Sequence, residues 1–127
     1  MIKFTMKKNT IAIICDCDET LTPDTTEFLL DYNGINQKLF WGNVSELVSQ
    51  GWDPPLAYMS KIVELMKSGD IKQNTNEKLA KVGGKIVPYK GVPEFILELK
   101  SLIKENKKFV EAGVNLECYI ISSIWKR

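Results

Sequence analysis

The sequence predicts an α/β fold in which two parallel strands flank a long helical insertion. The run from Thr10 to Cys15 is rich in β-branched residues and lacks polar alternation, which is typical of a strand buried on both faces of a parallel sheet. A second apolar run, from Leu116 to Ile121, follows Gly113 and Asn115 and predicts another strand. Almost everything between these runs has helical spacing, so a mixed fold with a parallel sheet is expected.

Cap signals divide the insertion into helices. Pro23 is expected at the first position of the first helix, after Thr22, and Asn43-Val-Ser-Glu46 is a capping-box pattern that predicts a second helix start. The four helices are predicted to run from Thr22 to Asn33, from Asn43 to Gln50, from Asp53 to Ser68 and from Thr75 to Val82.

A last helix is predicted after Gly91, and its apolar face should pack on the sheet: Val92, Phe95, Ile96, Leu99, Leu102 and Ile103. A simple crossover between parallel strands needs only one helix. Residues 24–88 are therefore predicted to form a separate helical domain, and residues 1–23 and 89–127 the core that carries the strands.

Composition excludes several classes of function. The 127 residues suffice for one core, and 17 Lys plus Arg against 16 Asp plus Glu give a net charge of +1, which does not favour a nucleic-acid partner. The chain has no histidine, which excludes His-based nucleophilic sites and His-ligated zinc. Chemistry must depend on carboxylates, hydroxyls, thiols or lysines.

The apolar runs are too short to cross a membrane or to serve as a signal sequence, so a cytoplasmic protein without a membrane partner is expected. Cys15, Cys17 and Cys118 lie in strand-like contexts and are expected to be reduced, buried thiols. Phe40, Trp41, Trp52 and Tyr58 could line a substrate pocket between the helices, although core packing is the favoured interpretation.

The stretch from Asp16 to Thr22 directly follows the first strand. Its two carboxylates, Asp16 and Asp18, repel each other unless a cation or a proton relieves the repulsion. Carboxylate oxygens without histidine favour Mg²⁺ as the cation. In an α/β sheet, moreover, ligands bind at the carboxyl ends of the strands, where Ser122 and Ser123 also follow the second strand.

These residues resemble the haloacid dehalogenase-like (HAD) superfamily. Asp16-Cys-Asp-Glu-Thr20 matches its first motif, D-x-D-x-T after a strand, and Tyr119-Ile-Ile-Ser122 is similar to its second motif. The segment from Pro88 to Glu94 resembles the return from a helical cap. The resemblance implies a partial Rossmann-like core of parallel strands with an inserted α-helical cap.

The resemblance also implies roles for individual residues. Asp16 would be the nucleophile that forms an aspartyl-phosphate and would bind Mg²⁺, whereas Asp18 would act as general acid and base and bind the metal through its carbonyl. Thr20 would brace the loop, and Ser122, with Ser123 beside it, would contact the phosphoryl group. The substrate would be a small phosphorylated metabolite.

The family's third motif, a lysine, and its fourth, an acidic pair, lie after the second motif and find no match in this sequence. The resemblance therefore implies a weak Mg²⁺ site, exposed sheet edges and little or no turnover by this chain alone. An inactive interaction module, whose edges pair with another chain or form a homo-oligomer, is the alternative.

A second alternative is a calcium loop of the EF-hand type over residues 16–27. The acidic and hydroxyl residues occupy the expected ligand positions. However, Leu21 stands where glycine is required, Pro23 interrupts the loop, and a strand rather than a helix is predicted before it.

Overall fold

The computed structural model describes residues 9–122. It contains six helices and a parallel sheet of two strands, which confirms a mixed α/β chain. In chain order the elements are β1 (Thr10–Cys15), α1 (Thr25–Tyr32), α2 (Gln37–Ser49), α3 (Pro54–Ser68), α4 (Asn76–Gly83), α5 (Val92–Glu105), α6 (Lys107–Glu111) and β2 (Asn115–Ile120).

The described chain divides into two compact units. Residues 9–21 and Pro88–Ser122 form one, called here the sheet unit, and Thr22–Val87 forms the other, called here the helical unit. The sheet unit holds both strands with α5 and α6, and the helical unit holds α1 to α4. No helix of residues 9–122 is long and apolar enough to cross a bilayer.

The two strands of the sheet unit pair in parallel. Thr10 is aligned with Asn115 and Cys15 with Ile120, so the strands run side by side over their full lengths. The bounds of β1 agree with the prediction, and β2 begins and ends one residue earlier than predicted. Helix α5 packs against β2, as its apolar face led us to expect.

The expectation that β1 is buried on both faces is wrong for this structure. No described residue of the sheet unit is buried, and the Ile14 and Ile120 side chains are 61% and 64% exposed. The physical reason is that the faces of the sheet have little cover: among the described helices, α5 makes the main contacts with the sheet, and these are with β2. The helices of the sheet unit leave much of its apolar surface open.

The core of the helical unit is built where α1, α2 and α3 meet. Its buried residues are Leu30, Phe40, Val44, Ala57, Tyr58 and Ile71. Trp41 packs edge-on to Phe40, at 5.0 Å between ring centroids, and stacks on Tyr58 at 5.9 Å. Core packing of Phe40, Trp41 and Tyr58 is thus confirmed, whereas Trp52 is 45% exposed.

Two predicted helix starts are wrong. Asp24, not Thr22, is the N-cap of α1, because its Oδ1 accepts the Glu27 N–H at 2.8 Å, and Pro23 precedes the helix. Helix α2 begins six residues before the capping-box pattern, at Gln37, where the Asn36 Oδ1 accepts the Leu39 N–H at 2.9 Å. The Asn43 to Glu46 segment lies inside this helix.

Two smaller features also depart from the sequence-based expectations. The sequence pattern did not predict the short helix α6, which Asn106 caps by accepting the Lys108 N–H at 3.0 Å. All three cysteines are free, as expected, but none is buried, and Cys118 is exposed.

Candidate functional site

The candidate site lies at the carboxyl ends of the two parallel strands. The Ile121 N–H donates to the Cys15 carbonyl at 2.9 Å, which extends the ladder one residue beyond β2. Asp16 directly follows the accepting residue, and Ser122 directly follows the donating residue. Since paired strands lie about 4.8 Å apart, the two backbones enter their loops as neighbours. The structure thus brings Asp16 and Ser122 together at the carboxyl ends of the two strands.

A tight turn carries the second predicted carboxylate. The Cys17 carbonyl accepts the N–H groups of both Thr20 and Leu21, at 3.2 and 2.8 Å. The Cys17 N–H donates to Asp16 Oδ1 at 2.9 Å. These bonds turn the chain sharply after β1, so that Asp18 lies within the turn.

Glu19 has an unusual backbone conformation in this turn. Its φ of 57° makes it the one non-glycine residue of the described chain with a positive φ. A residue with a Cβ adopts this region at an energetic cost, so the surrounding contacts must hold it there. Strain of this kind is common in loops that position functional groups.

Tyr89 supplies two of these contacts from the segment that leads into α5. Its N–H donates to the Leu21 carbonyl at 2.9 Å, and its hydroxyl donates to Glu19 Oε2 at 3.3 Å. Loss of water around the hydroxyl, the negative charge of Glu19 and this hydrogen bond together raise the pKa of Tyr89 above 10.0. Tyr89 therefore stabilises the turn through two hydrogen bonds.

The sequence-based prediction did not assign a role to Tyr89 or Glu19. The signal that could have found Tyr89 is its place in the returning segment after Pro88, which must pass near the first strand if both belong to one unit. Glu19 occupies the variable position of the D-x-D-x-T pattern, and nothing in the pattern indicates a positive φ there.

The other predicted site residues differ in accessibility. Asp16 and Asp18 are partly buried, whereas Thr20 and Ser122 are exposed. All four side chains therefore keep some surface that solvent can reach. Ser123 lies outside the described residues.

The donor set around Asp16 and Asp18 suits one kind of cation. Among residues 9–122, no group of three or more His, Cys, Asp or Glu side chains is arranged to hold a metal ion. Mg²⁺ commonly binds through one or two carboxylates and takes its remaining oxygens from water and phosphate. One carboxylate, that of Asp16, and one backbone carbonyl, that of Asp18, are therefore compatible with Mg²⁺ bound together with a phosphorylated ligand.

The calcium-loop alternative finds no support in the described chain. Strand β1 precedes the loop where an EF-hand has a helix. The Asp24 carboxylate, a predicted ligand, instead accepts the Glu27 N–H and caps α1, and Glu27 lies in the first turn of that helix. The acidic residues of the segment thus belong to different local structures.

Comparison with known proteins returned no match to any family model, to any curated protein or to any solved structure.

Proposed function

We propose that the sheet unit provides the nucleophile of a Mg²⁺-dependent phosphatase that acts on a small phosphomonoester. The observation that carries the proposal is the parallel pairing of β1 and β2, because Asp16 and Ser122 follow the carboxyl ends of these strands. A carboxylate nucleophile and a hydroxyl donor at neighbouring strand ends can contact the same phosphoryl group.

The proposed reaction has two steps. The Asp16 carboxylate attacks phosphorus, the bond from phosphorus to the ester oxygen breaks, and Asp18 gives its proton to the leaving oxygen. Asp18 then takes a proton from water, and the resulting hydroxide attacks the aspartyl-phosphate. Inorganic phosphate leaves and the Asp16 carboxylate is restored.

The remaining residues support these steps. Ser122 donates a hydrogen bond to a phosphoryl oxygen, and Ser123 is proposed as a second donor. Thr20, whose N–H already bonds to Cys17, braces the turn. Tyr89 and Glu19 keep the turn in its strained conformation.

Mg²⁺ would be held by the Asp16 carboxylate and the Asp18 backbone carbonyl, and it would offset the negative charge of the phosphoryl group. With no larger acidic cluster in residues 9–122, a high Mg²⁺ concentration is expected to be required. In this proposal the sheet unit is a partial Rossmann-like HAD core, and the helical unit is its cap.

The proposal is tested by hydrolysis of p-nitrophenyl phosphate at increasing Mg²⁺ concentrations. The expected result is slow, Mg²⁺-dependent release of p-nitrophenolate that Asp16→Asn abolishes. Asp53→Asn is the matched control, because Asp53 stands before α3 without a side-chain capping bond. Release of p-nitrophenolate by the Asp16→Asn variant at a measurable rate equal to that of the wild type would overturn the proposal.

A second candidate function is favoured by the exposed surface of the sheet unit. No described residue of this unit is buried, and the exposed apolar side chains include Ile14, Phe95, Leu102, Val110 and Ile120. We propose as the alternative that the unit is an interaction module whose strand edges pair with another chain, in the first instance a second copy.

Mass measurement by light scattering tests the alternative. A stable dimer without phosphatase activity, reduced to monomer by Ile120→Lys, would support the module, because a charged residue on an edge strand opposes edge pairing. Leu39→Lys, at a position 64% exposed in the helical unit, is the control. A monomer at all concentrations would contradict the alternative.

A further inference from the structure

The helical unit contains an open apolar groove between α1, α3 and α4. Its volume is about 530 Å³, within the roughly 300–1,000 Å³ common for small-molecule sites. Side chains from all three helices and from the segment after α4 line it, among them Phe28, Tyr58, Met59, Val63, Leu79 and Ile86. Charged side chains are absent from its described lining.

The apolar lining is accessible rather than sealed. Met59 and Val63 are 43% and 44% exposed, although they project from the same helix that buries Ala57 and Tyr58. Exposed apolar side chains around a concave surface gain free energy when an apolar ligand displaces water from them. The chemistry of the groove therefore favours an apolar chain.

A lysine is connected to the lining of this groove through two aromatic side chains. Lys85, the residue before Ile86, donates from Nζ to the Tyr32 hydroxyl at 2.8 Å, and its ammonium lies 4.8 Å from the centre of the Tyr32 ring. Tyr32 in turn stacks on Phe28, which lines the groove, with 6.4 Å between ring centroids. Tyr32 thus lies between the ammonium and Phe28, and the residue after Lys85, Ile86, also lines the groove.

The charge of Lys85 is not balanced within the described chain. The ion pairs of residues 9–122 join Lys61 to Glu64 and Lys107 to Glu111. Lys85 instead contacts a neutral phenol. Asp31, which precedes Tyr32 in α1, accepts a hydrogen bond from Gln37 Nε2 at 2.7 Å.

From these contacts we infer that the groove binds a small amphiphile, an unbranched apolar chain that carries a carboxylate. The chain lies along the groove, and the carboxylate takes the Lys85 ammonium as its partner. The inference rests on the helical unit alone and is independent of the proposed phosphatase chemistry.

The structure contains its own reporter for this binding. Trp41 stacks on Tyr58, and Tyr58 lines the groove. The test is titration of the full chain with decanoate, below its micelle-forming concentration, followed by calorimetry and by tryptophan fluorescence. We expect saturable binding of one decanoate per chain, with a fluorescence change that the Trp41→Phe variant loses.

Two variants locate the site. Val63→Asp puts a carboxylate into the groove at a half-exposed position, so the chain should still fold, and decanoate binding should weaken at least about tenfold. Leu39→Asp is the matched control on α2 and should leave binding unchanged. Far-ultraviolet circular dichroism verifies that both variants are folded.

The pairing of the ligand carboxylate with Lys85 is tested by changing the headgroup of the ligand and by replacing the lysine. Lys85→Met should weaken decanoate binding by up to about fivefold and leave decanol binding unchanged. Lys38→Met, on the exposed surface of α2, is the control. Decyltrimethylammonium should bind more weakly than decanoate.

Three binding results would overturn the inference. They are the absence of saturable decanoate binding, binding that Val63→Asp does not weaken, and equal affinity for decanoate and decyltrimethylammonium. Self-association of the chain that Val63→Asp abolishes would assign the groove to a second copy and would also overturn it.

Discussion

The Tyr89 hydroxyl donates a hydrogen bond to the carboxylate of Glu19, with 3.3 Å between the oxygen atoms. The two residues are far apart in the chain, yet both belong to the sheet unit. Glu19 has a φ of 57° in the turn that carries Asp18. The bond therefore connects the conformation of that turn to the segment before α5.

The first prediction concerns the ionisation of Tyr89. Desolvation and the Glu19 carboxylate raise its pKa above 10.0, so Glu19→Gln should move the pKa back toward that value. The pKa is measured by alkaline absorbance titration, as the difference between each chain and the same chain carrying Tyr89→Phe.

Because the pKa is raised in the folded chain, this interaction stabilises the fold fully below pH 10.0. The stabilisation is lost as the pH rises through the folded-state pKa. Glu117→Gln is the control, since Glu117 bonds to Tyr119 and raises the pKa of that residue instead. An unchanged Tyr89 pKa in Glu19→Gln would contradict the geometry.

The second prediction compares two leucines of the helical unit. Leu30 has no exposed surface, whereas Leu39 is 64% exposed. Leu30→Ala should lower the free energy of unfolding by about 2–5 kcal/mol through lost burial and a cavity. Leu39→Ala should change it by less than about 0.5 kcal/mol. Urea denaturation measures both free energies. Equal effects of the two substitutions would contradict the burial of Leu30 in the core.

The third prediction concerns the start of α2. The Asn36 side chain caps this helix at 2.9 Å from the Leu39 nitrogen, so Asn36→Ala should destabilise the chain by about 1 kcal/mol. Asn43 lies inside the helix and is exposed, so Asn43→Ala should be neutral or slightly stabilising. A larger loss of thermal stability in Asn43→Ala than in Asn36→Ala would instead support a helix start at the capping-box pattern.

The start of α2 could not be predicted from the local sequence. Asn43 and Glu46 have the spacing of a capping box, but local patterns do not reveal whether a helix has already begun. Asn36 is an equally good cap, and the burial of Phe40 and Val44 on one face decides in favour of the earlier start. Tertiary packing overrides the local signal.

In the sheet unit, too, the strands could be predicted from the sequence, but their burial could not. The two apolar runs, from Thr10 to Cys15 and from Leu116 to Ile121, were enough to predict the two strands and a parallel sheet. The exposure of Ile14 could not be predicted, because burial of a strand depends on which elements cover it. The roles of Asp16, Asp18, Thr20 and Ser122 remain predictions, although the structure places Asp16 and Ser122 at neighbouring strand ends.

The proposed phosphorylation of Asp16 can be detected by chemical trapping of the aspartyl-phosphate. The Asp18→Asn chain is incubated with Mg²⁺ and p-nitrophenyl phosphate, whose leaving group departs without a general acid. The variant lacks the base that would activate water, so the aspartyl-phosphate should accumulate. Borohydride then reduces an aspartyl-phosphate to homoserine, which peptide mass spectrometry locates.

Homoserine at position 16, formed only with both Mg²⁺ and substrate, is the result that we predict. The same chain carrying Asp16→Asn should yield none, and the Asp53→Asn, Asp18→Asn chain should yield as much as Asp18→Asn alone. An unmodified Asp16 in the folded Asp18→Asn chain would contradict the proposed mechanism.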